Sequence, residues 1–208
     1  MVNEDKIIST AKNIVNNFLK VKKGENVLIV MDHMDKIISS FRKVLVEKEI
    51  EFKEVTITEN RNNSAPIPEI LKDLLWADVV IAPTKKSITH SPETVQAKDK
   101  GTRIVTLPGI TEEIFLKINE ANFKEIFELC GKLVKRLNKA DKVEITTERG
   151  TEFSFSIKGR VWKGLEPEEG KGFVMNLPTG EVFCAPIENS ANGKIAIDYW
   201  KNLIMFLL

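Results

Sequence analysis

The chain has 208 residues, enough to bury a real core in one large domain or two small ones. A composition that is 42% hydrophobic and 29% charged, with a net charge of +1, excludes a disordered or highly basic chain. Lysines are interspersed with glutamates and form no phosphate-binding stripe, so no nucleic-acid partner is expected.

The N-terminus, Met1-Val2-Asn3-Glu4-Asp5-Lys6, carries acids and lacks the apolar run of a signal peptide. The first periodic segment covers residues 4–19. Ile7, Ile8, Ala11, Ile14, Val15, Phe18 and Leu19 recur at the helical period. Asn26–Met31 is a continuous apolar run and predicts a strand covered on both faces. An amphipathic helix is predicted over 34–48, an alternating strand over 51–58, and a proline-led helix over 66–75. Asp78–Ala82 predicts a second buried strand. Ser91 and Pro92 open a short helix ending near Lys100, as N-cap and first-turn residue. A strand over 102–107 and a long helical region over 111–137 complete this half.

Strand–helix alternation predicts an α/β fold with a mostly parallel sheet and flanking helices. From Lys142 the pattern changes to period two. Val143–Thr146 and Glu152–Ile157 alternate across an Arg149-Gly150 turn. Phe173–Met175, Glu181–Ala185 and Lys194–Trp200 continue in the same style. A smaller antiparallel β-rich region is therefore expected, with domains at 1–140 and 141–208. The terminal run Leu203–Leu208 is apolar but far shorter than the roughly 20 residues of a membrane span. It is expected to pair within the β region or to form a contact between two chains, as in a homodimer. Cys130 and Cys184 supply neither a disulfide framework nor a zinc set, which points to a reducing cytoplasm.

Glu181 stands out among the candidate residues. Asn176-Leu177-Pro178-Thr179-Gly180 makes a turn, and Glu181-Val182-Phe183 opens a strand. A carboxylate held at a strand mouth suits a metal ligand or a general base. Asn189–Lys194 reads as a second tight turn that returns a strand beside Glu181. His33 and His90 each follow a buried strand, as does Asp32. Ligands of open α/β sheets bind at strand carboxyl ends, so these three can line a cleft, although ordinary loop histidines serve as well. Asp32 and Asp35 can accept from a ligand hydroxyl or cap the next helix, and the cap is preferred. The run Met31-Asp32-His33-Met34-Asp35 stands where a dinucleotide fingerprint would need glycines. Cys184 with His90 is a weak nucleophile pair, and a structural cysteine is preferred. Glu166, Glu168 and Glu169 read as a solvated turn rather than a cation site.

Several segments resemble the thermophilic-type metallo-aminopeptidases, the leucyl aminopeptidase and aminopeptidase T/S-like group. They are Gly159-Arg160-Val161-Trp162, the run Asn176-x-Pro178-x-Gly180-Glu181-Val182-Phe183-x-Ala185-Pro186, Ser190-Ala191-x-Gly193, and Val21-Lys22-Lys23-Gly24-Glu25-x-Val27-Leu28-Ile29. The resemblance implies that Glu181 ligates one of two divalent ions (zinc, cobalt or manganese) and that complete relatives act on peptides. The family's other ligands come from a later segment with a His-x-Asp pair, and this sequence has no histidine after His90. The expectation is an aminopeptidase-like chain, truncated or inactive, with a divalent metal in complete relatives that need not be bound here. The alternatives are a non-catalytic ligand-binding or dimeric assembly module, and a hydrolase rearranged around Glu181, His90 and Asp32.

Overall fold

The computed structural model describes residues 2–164 and 172–197. Glu166, Glu168, Glu169, Trp200 and the run Leu203–Leu208 lie outside the described residues.

The chain opens with α1 (Val2–Asn13), which widens into a π-helical turn at Ile14–Phe18. Next come β1 (Val27–Met31), α2 (Lys36–Glu47) and β2 (Phe52–Thr56). A 3-10 turn at Pro68–Ile70 leads into α3 (Leu71–Trp76), β3 (Val79–Ala82), α4 (Pro92–Lys100) and β4 (Arg103–Thr106). The caps are those expected: Asp35 accepts from the Ile38 amide and Ser91 from the Thr94 amide. The helical region after Thr111 is two helices, α5 (Glu112–Glu120) and α6 (Phe123–Leu137). Its continuous apolar period hides the break, where Ala121 turns to extended backbone. The rest comprises β5 (Lys142–Thr146), β6 (Glu152–Ser156), β7 (Lys163–Gly164), β8 (Phe173–Asn176), β9 (Val182–Phe183) and β10 (Asn192–Lys194).

Five parallel strands form the main sheet in the order β2-β1-β3-β4-β8. The step from β1 to β2 runs one way along the sheet, and the steps on to β3 and β4 run the other way. Right-handed crossovers therefore put α2 on one face and α3 and α4 on the other. Each face is covered. Phe41 of α2 meets Phe115 of α5 edge-on at 5.8 Å, and α1 packs on both helices. On the other side Leu28, Val30, Val80 and Ile104 join Ile70, Leu74 and Ala97 in one buried cluster. This double covering is why β1 and β3 are apolar at every position.

The placement of Phe173–Met175 in the antiparallel region is corrected. β8 lies parallel to β4, with Arg103 opposite Phe173 and Thr106 opposite Asn176. A period-two run reads alike in a parallel edge strand and an antiparallel one, and only the returning chain direction decides. Gly172 makes that return possible, because a Cβ there would stand 2.0 Å from the Lys98 carbonyl oxygen.

The antiparallel part is a three-stranded sheet, β10-β6-β5, plus the pair β7-β9. The hairpin across Arg149-Gly150 has the expected register, with Val143 opposite Phe155 and Ile145 opposite Phe153. The strand after the second turn does not return beside Glu181. β10 pairs with β6, where Gly193 meets Phe153. A Cβ on Gly193 would lie 2.0 Å from the Glu152 carbonyl oxygen, so the missing side chain selects this partner. Two compact units result: 1–123 with 166–179, and 124–165 with 180–208. No helix among the described residues is long and apolar enough to cross a membrane.

Candidate functional site

The Asn176–Phe183 segment is fixed at several points. The Asn176 side-chain oxygen accepts hydrogen bonds from the Thr89 hydroxyl at 2.7 Å and from the Thr106 hydroxyl. Leu177 is buried, and its amide donates to the Thr106 carbonyl at 3.0 Å. Gly180 takes φ +141°, and a Cβ there would stand 2.7 Å from Ile126 Cγ2 of α6. Only glycine satisfies both conditions. Val182 and Phe183 then pair with Gly164 and Lys163. Gly164 rests on the same helix, where a Cβ would meet Val134 Cγ2 at 3.3 Å and Cys130 Cβ at 3.7 Å. Ile126, Cys130 and Val134 recur every four residues and so form one stripe of α6.

Glu181 sits between Gly180 and Val182. Its backbone is bounded on both sides, its side chain is exposed, and no described residue pairs with its carboxylate. An anchored backbone carrying a free carboxylate suits a metal ligand. A two-metal centre needs several carboxylate and imidazole donors. Among the described residues, no group of three or more His, Cys, Asp or Glu side chains converges to hold a metal ion. The described donor set therefore does not fit a metal pair. Cys130 is buried and Cys184 partly buried, and both are free thiols.

The second cluster lies at the carboxyl edge of the parallel sheet. The crossover direction reverses between β1 and β3, and crevices at such reversals are where open α/β sheets take ligands. Asp32 follows β1 with no side-chain exposure. One of its oxygens lies 2.6 Å from His33 Nδ1, and the other accepts from the Lys85 amide at 2.8 Å. His33 Nε2 lies 3.1 Å from Asp35 Oδ2, while Asp35 Oδ1 caps α2. Burial pulls the His33 pKa down. The hydrogen bonds and charges of Asp32 and Asp35 outweigh it and hold the imidazole above its ordinary 6.5.

The structure thus brings Asp32 and His33 together, with Asp35. It does not bring His90 to them. His90 is exposed, and its amide reaches Ser64 Oγ at 3.4 Å. Sequence reasoning missed Lys85 and Arg61. Lys85 contributes its backbone amide to Asp32, which no side-chain pattern reveals. Arg61 donates to the carbonyls of Lys86 and Ser87, and Ser64 donates its amide to Ser87. The loops after β2 and β3 are therefore laced together. From the sequence alone, Asn176 is a turn residue. Its role in a hydroxyl network depends on Thr89 and Thr106, which are 87 and 70 residues away.

Residues 115–202 match the family model described as thermophilic metalloprotease (M29). No curated protein matches the chain significantly. Among solved structures, the chain is similar to 2,5-dihydroxypyridine dioxygenase from Pseudomonas putida KT2440, with TM-score 0.73 and 16% identity over 91% of this chain and 58% of that one. It is also similar to wild-type AmpT from Thermus thermophilus, with TM-score 0.63 and 13% identity over 91% of this chain and 63% of that one. The chain spans less than two thirds of either structure, and at these identities the likeness shows the fold alone. Residues 115–202, which contain the whole Asn176–Pro186 motif, therefore resemble the thermophilic metalloproteases of this family.

Proposed function

We propose that this chain is an aminopeptidase-like protein in which Glu181 is one ligand of a divalent-metal site, complete relatives removing N-terminal residues from peptides. The observation that carries this is Glu181 itself. It lies inside the M29 match, on a backbone bounded by Gly180 and β9, with its carboxylate exposed. A divalent ion (zinc, cobalt or manganese) would supply Lewis acidity and an activated water when bound in a full ligand set. Glu181 alone completes no hydrolytic step. On this reading the chain by itself has absent or very weak peptidase activity unless a second polypeptide supplies further ligands. The two free thiols support a reducing, cytoplasmic setting.

Two measurements test the reading. Manganese added to labelled protein should broaden the amide resonances of Val182 and Phe183, and Glu181→Gln should remove that broadening. Broadening that persists in Glu181→Gln rejects the ligand role. In parallel, peptide hydrolysis is assayed with added zinc, cobalt or manganese. Metal-dependent release lost in Glu181→Ala would keep the ligand and reject the incomplete site, pointing to a rearranged one.

A second reading is a non-catalytic module that binds a small ligand at the carboxyl edge of the main sheet or assembles as a dimer. The reversal of crossover direction beside Asp32 favours the first form. Exposed Ile145, Ile195 and Ile197 in the β-rich unit favour the second. Sedimentation of the purified chain separates monomer from dimer.

A further inference from the structure

We propose that Asp32, His33 and Asp35 form a proton-controlled latch that couples the N-terminus of α2 to the loop after β3 across the β1/β3 crevice. His33 presents Nδ1 to Asp32 at 2.6 Å and Nε2 to Asp35 at 3.1 Å. Both facing atoms are carboxylate oxygens, which only accept. An imidazolium carries two N–H groups and satisfies both. A neutral ring carries one, so one carboxylate then faces a lone pair.

Which contact opens first follows from distance and burial. The Asp32 contact is the shorter, and its side chain has no exposure, whereas Asp35 is 31% exposed. The neutral ring therefore keeps its proton toward Asp32 and releases Asp35. Asp35 is also the α2 cap, bonding the Ile38 amide at 2.9 Å. Asp32 holds the other side through the Lys85 amide at 2.8 Å. With His33 charged, the α2 cap and the β3 loop are two ends of one bonded chain. With His33 neutral, the chain is cut at Asp35.

The surrounding charges belong to the same account. Asp32 and Asp35 face the ring from the loop after β1 and the start of α2. The charges of Arg61, from the loop after β2, and of Lys85, from the loop after β3, act on Asp32. Lys85 Nζ is in turn held by Glu59 at 2.5 Å. The raised pKa of His33 agrees with the geometry, since both carboxylates favour the charged ring. The consequence is a crevice edge that is tied in mildly acidic conditions and loosened in alkaline ones.

The test is amide hydrogen exchange of the full chain with pH, expressed as protection relative to the intrinsic rate, alongside NMR titration of His33. The Ile38 amide should lose about five- to tenfold in protection across the His33 titration, the equivalent of a weakened helix cap. The Lys85 amide should lose less. In His33→Gln the Ile38 protection should be flat with pH. Asp35→Asn keeps a capping oxygen, serves as the second variant, and should lower the His33 midpoint. Unchanged Ile38 protection while His33 titrates overturns the latch, as does a His33 midpoint no higher than the ordinary 6.5.

Discussion

The two compact units use opposite means of holding a strand. In the first, β1 and β3 bury every side chain, and helices cover both sheet faces. In the second, β5 and β10 bury none, and β6 is at most half-buried. Close backbone approach marks the second unit at Gly193 against Glu152, at Gly180 against Ile126 and, less tightly, at Gly164 against Val134. The first unit is held by apolar area, a collective quantity. The second adds positions such as Gly193 and Gly180 where a side chain would clash, as Gly172 does at the edge of the first. A scaffold of the first kind tolerates surface change, while the second is sensitive at single glycines, and Glu181 adjoins one of them.

The sharpest way to break this comparison is to remove equal volumes from both units. Ile29→Ala, at a fully buried position of β1, should cost about 2–5 kcal/mol in denaturant unfolding. Ile145→Ala, at 42% exposure in β5, should change stability by within about 0.5 kcal/mol. Equal losses would mean that β5 is held by burial as β1 is. The converse substitution adds one methyl to the second unit. Gly180→Ala meets Ile126 and a left-handed backbone, and should cost about 1–3 kcal/mol, read by local hydrogen exchange over 180–183. An unchanged exchange pattern would show that the close approach to α6 is not what holds this segment.

Smaller effects sharpen the picture at charged groups. The pH dependence of stability should contain a His33 contribution in the first unit. Its folded pKa is raised, so its stabilisation is fully present below about 6.5, the unfolded value, and is lost as pH rises through the higher folded value. His33→Gln should remove that dependence in melting curves recorded from pH 5 to 9. At the small end, Glu181→Ala should leave the unfolding free energy within about 0.5 kcal/mol of the parent, because the carboxylate is exposed and has no described partner. A larger loss would mean that Glu181 holds the fold rather than a ligand.

Much of the first unit was legible because burial on both faces leaves an unbroken apolar signature. Asn26–Met31 and Asp78–Ala82 could hardly be anything but central strands. The caps Asp35 and Ser91 were legible because a cap is a contact within four residues. The Asn176–Pro186 motif was legible as a turn leading into a strand, since turn residues followed by strand formers make a local pattern.

What the sequence by itself determined was therefore local or periodic: the α/β alternation, the hairpin across Gly150, the helix caps and the turn that leads into β9. Tertiary structure decided what depends on distant groups meeting. It placed β8 on the parallel sheet through the gap at Gly172, sent β10 to β6 instead of beside Glu181, and joined Asn176 to Thr89 and Thr106. It also turned Asp32 and His33 from separate cleft candidates into one bonded chain ending on the Lys85 amide. The physical reason is common to these cases. A backbone amide or an absent Cβ has no side-chain signature, and its partner is fixed only when the chain has closed around it.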